Sequence, residues 1–112
     1  MKVIITQTAE DSLGEIYRYK CEYSVAHADD FLSNIYAFTT ENLSQFPRLG
    51  HVYNPERDLF RLIYAKAFNI YYTIREQEVF VLFVIDGSIN LNQELVDPNI
   101  TANFRSKPDA LA

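Results

Sequence analysis

With 112 residues, 48% of them hydrophobic, the chain can bury one core and is too short for two ordinary domains. Ten lysines and arginines against fifteen aspartates and glutamates give a net charge of −5, which disfavours direct nucleic-acid binding because phosphate contacts rest on counterion release by basic groups. One cysteine, Cys21, excludes an intrachain disulfide, and with only His27 and His51 beside it no zinc-site spacing exists, so neither metal nor cofactor is expected.

Val3-Ile4-Ile5 reads as a short strand that turns polar at Thr6, before a signal-peptide core could form. No apolar run approaches the roughly 20 residues that span a bilayer, so a soluble, cytoplasmic protein is expected. Thr8 is the expected cap of a first helix, with Asp11 at the capping-box distance and Glu10 near the positive helix end. Ala9, Leu13, Ile16, Tyr17 and Cys21 recur at helical spacing until the pattern fades near Tyr23 and Ser24. A second helical period runs through Ala28, Phe31, Ile35, Phe38, Asn42 and Phe46, widened by Leu32 and Leu43 and ended by Pro47. Two amphipathic helices with a short link form an antiparallel hairpin able to cover one face of a sheet.

Arg48 to Pro55 reads as a loop, with Gly50 available for a positive φ. Leu59–Ala65, Phe68–Arg75 and Val79–Ile85 are rich in β-branched and aromatic residues and broken at Lys66 and at Glu76-Gln77, which predicts a three-stranded antiparallel meander. The last strand is apolar at seven successive positions and is expected at the sheet's centre. Asp86-Gly87-Ser88 is turn-like, Asn90–Val96 fits a helical turn or a short strand, and a polar tail with Pro98 and Pro108 follows. The expected organisation is a domain over residues 1–96 and a loosely ordered tail over 97–112. The fold class is α+β: an N-terminal strand, a helical hairpin, then the meander, in the order β-α-α-β-β-β.

Charge is unevenly distributed along the chain. Before Arg48 there are seven acids and three basic residues, whereas from Arg48 to Arg75 there are five basic residues and two acids. Such a patch can steer an acidic partner whatever the net charge, and it is equally compatible with solvated strand ends. Arg61 depends on register: a two-residue turn at Lys66-Ala67 sets it opposite Tyr72, with its stem on that ring, and places Tyr64 and Tyr71 together on the other face; a three-residue turn reverses the parity. Arg61, Tyr64, Tyr71, Tyr72 and Arg75 are the candidate binding residues, since tyrosine combines a rigid apolar face with a hydroxyl. His27 and His51 lack a neighbouring nucleophile, Cys21 reads as a small apolar residue, and no catalytic residue is assigned.

The lone strand, the helical hairpin, the "FPRLG" link and three strands carrying "LFRLIY", "FNIYYTI" and "VFVLFVI" together resemble the ParE/RelE superfamily of toxins from toxin–antitoxin systems, once called plasmid-stabilisation proteins. The likeness spans about Val3 to Leu95 and rests on Ala9, Leu13, Ile16, Tyr19, Ala28, Phe31, Ile35, Leu43, Pro47, Gly50, Arg61, Ile70 and Tyr72. It implies a growth-inhibiting toxin neutralised by a cognate antitoxin protein. The superfamily's ribonuclease branch, RelE-like, uses basic and aromatic residues on the concave sheet face and after the last strand to cleave ribosome-bound message. Here that branch's Gly-Tyr-Arg reads Ala67-Phe68-Asn69, so an uncharged asparagine stands where phosphate charge would be stabilised, and Asp86-Gly87-Ser88 follows the last strand in place of a basic run. The departure favours the ParE branch, which acts by protein binding, with DNA gyrase as the implied target. The alternatives are a RelE-like endonuclease and a diverged interaction module, which would show itself as a homodimer through the apolar sheet face.

Overall fold

In the computed structural model, which describes residues 1–87, the chain passes from strand to helix at Thr6 and not at Thr8. Strand β1 (Lys2–Ile5) ends there, and the extended Thr6 (φ −70°, ψ 163°) caps helix α1 (Gln7–Cys21). Its hydroxyl accepts the Ala9 N–H at 3.2 Å and donates to the Val81 carbonyl at 2.7 Å. One side chain thus satisfies a free helix N–H and ties the helix start to a distant strand. Thr8 falls inside the first turn, and Asp11 accepts a hydrogen bond from Gln7 instead of completing a capping box.

Only Glu22, Tyr23 and Ser24 separate α1 from helix α2 (Val25–Gln45), which Ser24 caps by accepting the His27 N–H at 3.2 Å. Tyr17 donates to Asp29 at 2.6 Å across the hairpin, and that hydrogen bond raises the phenol's pKa. The buried stripe of α2 is Ala28, Phe31, Ile35, Thr39 and Leu43. Thr39 is tolerated inside because its hydroxyl donates to the Ile35 carbonyl one turn back, whereas Phe46, expected in the stripe, stands exposed past the helix end.

The sheet has five strands in the order β1-β5-β4-β3-β2, with β2 (His51–Asn54), β3 (Leu59–Tyr64), β4 (Phe68–Arg75) and β5 (Glu78–Asp86) antiparallel in sequence and β1 parallel to β5. Two expectations need correction. Residues 51–54 are a strand on the outer side of β3, followed by a 3-10 turn at Pro55–Arg57, and so are not simply loop. That added edge moves the centre of the sheet to β4, leaving β5 interior between β1 and β4. The domain boundary at 96, the segment 90–96 and the tail from 97 lie outside the described residues.

Both helices cover one face of the sheet. Ala9, Leu13, Ile16, Phe31, Ile35 and Leu43 pack there against Phe60, Leu62, Phe68, Ile70, Tyr72, Val79, Val81 and Val84. Lys20, at the end of α1 where a positive charge suits the helix dipole, holds its ammonium 4.7 Å from the Phe31 ring centre and 5.1 Å from that of Phe68.

Pairing of β4 with β5 skips Leu82, a bulge between the Tyr71–Phe83 and Tyr72–Val81 pairs. On the other side of β5, pairing with β1 ends at Ile5 opposite Val81, and beyond it α1 supplies a partner: Ser12 accepts the Val84 N–H at 2.9 Å while donating to the Ala9 carbonyl. Ser12→Ala strands that amide under the helix and is expected to cost about 1–3 kcal/mol. Urea unfolding should show a lower midpoint with an unchanged slope; an unmoved midpoint would mean that water replaces the hydroxyl. Among the described residues, no helix is long and apolar enough to cross a membrane.

Candidate functional site

The β3–β4 connection decides which side chains meet. Ala65 and Lys66 both adopt positive φ (53° and 62°), and the Ala67 N–H returns to the Tyr64 carbonyl, so the turn has three residues. Tyr64 pairs with Phe68, and Arg61 with Tyr71. The two-residue turn, with Arg61 opposite Tyr72, is not formed. One residue of difference exchanges the faces: Arg61 and Tyr71 stand on the side away from the helices, while Tyr64 and Tyr72 stand beneath them.

On the outer face Leu59, Tyr71 and Phe83 form a second buried cluster, flanked by Leu82 and Ile85. Tyr71 stacks on Phe83 at 4.8 Å between ring centres, and Tyr53 of β2 meets Tyr71 edge-on at 5.1 Å and 77°. The Arg61 guanidinium lies over Tyr53, its central carbon 5.4 Å from the ring centre. Its Nε–H is shut away from water and has no hydrogen-bond partner. The result is a step in the sheet surface: an aromatic floor, one tyrosine wall more than half exposed on an edge strand, and a cation whose hydrogen-bonding capacity is not used up.

Burial, aided by the neighbouring Tyr53 phenol, pushes the Tyr71 phenol up to about 12, and the Arg61 guanidinium pulls it partly back. An unfolded tyrosine ionises near pH 10, so between about 10 and 12 the unfolded chain loses this proton before the folded chain does. The contribution to stability is therefore fully present below pH 10 and is lost as pH rises towards 12, by about 2–3 kcal/mol at most. Urea midpoints at pH 9 and pH 11 should differ less in Tyr71→Phe than in the parent protein; equal differences would contradict this assignment.

The other candidate positions divide between the faces. Tyr64 is half-buried against Phe38 at 4.9 Å and Phe31 at 6.4 Å. Tyr72 is fully buried, stacks on Phe60 and accepts the Gly50 N–H at 2.9 Å, which anchors the link into β2. Arg75 lies four residues beyond Tyr71 on β4, roughly 13 Å along the strand, and pairs with Asp58 at 3.3 Å where both are exposed. Asn69, opposite Ile63, is half-buried on the outer face. Among the described residues, the structure thus brings Arg61 and Tyr71 together, sets Arg75 apart, and places Tyr64 and Tyr72 under the helices. It adds Tyr53, which a loop reading of residues 48–55 passes over although Val52-Tyr53 is a β-branched and aromatic pair of the kind strands favour.

A strand, a helical hairpin on one sheet face and an antiparallel meander are the α+β arrangement that the resemblance implies, with β2 added at the sheet's edge. The chain matches, over residues 3–91, the family model described as the ParE toxin of the type II toxin–antitoxin system, parDE. It belongs to that family. It is also similar to Toxin ParE3 of Caulobacter vibrioides, at 28% identity over 94 residues that cover 84% of this chain and 94% of that protein.

Proposed function

We propose that this ParE-family chain is the toxin of a toxin–antitoxin pair that acts in the cytoplasm by gripping another protein, with DNA gyrase as the family-implied target, and that a cognate antitoxin silences it. The observation that carries this reading is the outer sheet face, where Arg61, Tyr53 and Tyr71 converge beside the exposed Ile63. Aromatic side chains and arginine supply much of the energy of protein interfaces, since they bury large area at small entropic cost. Val52 and Tyr53 also lie on β2, which among the described residues is an edge strand, a place where an extended partner segment can add its own strand. The basic stretch from Arg48 to Arg75 favours an acidic partner.

Induced alone in a bacterial host, the chain should arrest growth, and co-induction with the product of the adjacent open reading frame should relieve the arrest and yield a complex. In vitro, gyrase supercoiling should fall on addition of the toxin and recover with the antitoxin. A harmless chain that captures no neighbouring product would favour the diverged interaction module. Cleaved message on translating ribosomes would favour the endonuclease, a reading to which Asn69 lends no cationic group.

A further inference from the structure

Among the described residues, the buried side-chain donor whose bonding is incomplete belongs to Arg61. Its Nε–H is enclosed and unpaired, and burying a charged group's donor without a partner is costly, so the arrangement gains from any acceptor that reaches it. We propose that Arg61, floored by Tyr71 and walled by Tyr53, is the seat for a carboxylate side chain of an acidic polypeptide partner. This deepens the protein-binding reading above and rests on it.

Three observations select a carboxylate. The unpaired Nε and the adjacent Nη form a planar two-donor edge that fits two carboxylate oxygens, which no single-acceptor group matches as well. The aromatic surroundings, Tyr71 on Phe83 and Tyr53 edge-on, lower the local dielectric and strengthen the pair. The Arg61 guanidinium is itself a permanent positive charge on this face, so an anionic group is drawn to it and a cationic one is repelled. Tyr53, over whose ring the guanidinium lies, is more than half exposed on the edge strand and so borders the seat on its solvent side. Exposed Ile63 beside the seat suits apolar residues flanking the acid.

The test uses the full chain, labelled with nitrogen-15, titrated with the capped tripeptide Leu-Glu-Leu and with Leu-Gln-Leu as its neutral match. The Arg61 Nε–H resonance should shift saturably with the glutamate peptide and at least about tenfold more weakly with the glutamine peptide, the range expected for a charge-assisted hydrogen bond. Neither variant carries an arginine Nε–H, so the backbone amides of Tyr53 and Ile63 beside the seat are followed instead: Arg61→Gln should abolish their saturable shifts, and Arg61→Lys, which keeps charge but loses the fork, should weaken them about tenfold. A dispersed amide spectrum for either variant establishes that it folds. Equal responses to the two peptides, or none up to roughly 10 mM, overturn the proposal. A second arm separates it from the functional reading. If the neighbouring gene product binds the parent and Arg61→Gln equally well, the seat is wrong and the antitoxin reading stands; if the parent binds no such product, the antitoxin reading falls and the peptide titration still decides the seat.

Discussion

Gly50→Val should destabilise the protein by about 2–4 kcal/mol, a loss in melting temperature of roughly 10 °C or more for a domain of this size. The reason is a close approach, not an unusual backbone angle: Gly50 does not adopt a positive φ, so the expectation of a left-handed loop residue is corrected. A Cβ at this position would meet the Arg61 carbonyl oxygen at 2.7 Å, the Tyr72 hydroxyl at 2.9 Å and the Arg61 carbonyl carbon at 3.0 Å. Two of those atoms are backbone of β3 and cannot swing away, so the link from α2 to β2 has to retreat. Retreat breaks the Gly50–Tyr72 hydrogen bond, adding a lost pair of about 1 kcal/mol to an overpacking cost of about 1–3 kcal/mol. Gly50→Ala meets the same atoms and should lose about 2 kcal/mol. Thermal and urea unfolding measure both, and a Val variant within about 0.5 kcal/mol of the parent would mean that the link yields freely.

Tyr72→Ala should cost about 3–5 kcal/mol and Tyr72→Phe about 1–2 kcal/mol. The ring is wholly buried in the centre of β4, stacked at 5.2 Å and 14° on Phe60, with α1 and α2 packed over that face, so truncation opens a cavity that rigid strands cannot close. Removing only the hydroxyl keeps the packing and orphans the Gly50 N–H. The two sites share one hydrogen bond, and therefore Gly50→Ala combined with Tyr72→Phe should cost less than the sum of the single changes. Additive losses would show that the bond contributes nothing. If Tyr72 instead contacts the partner, Tyr72→Phe would impair neutralisation by the antitoxin without lowering the urea midpoint.

The helices were legible because their stripes repeat within the chain itself: Ala9, Leu13 and Ile16, and Ala28, Phe31, Ile35 and Leu43, all point into the core that their spacing predicts. The meander was legible from three runs of strand-forming residues. Thr6 was missed as the cap because half of its role is a bond to Val81, 75 residues away, which no local pattern contains. His51–Asn54 was missed as a strand because four residues between a glycine and a proline carry almost no periodicity, and an edge strand exists only through pairing with β3.

Of the candidate site, composition and order along the chain determined which residues were available: an arginine amid apolar neighbours, tyrosines in excess and a basic stretch over residues 48–75. Tertiary structure decided which of them meet. Ala65 and Lys66 both accept a left-handed backbone, and the three-residue turn that they make puts Arg61 and Tyr71 on one face and Tyr64 and Tyr72 on the other. Side chains alternate with a period of two, so a single residue in a turn inverts a whole strand. That choice is settled by the packing of the helix-facing residues across the sheet, an energy that belongs to the folded assembly and to no segment of the chain alone.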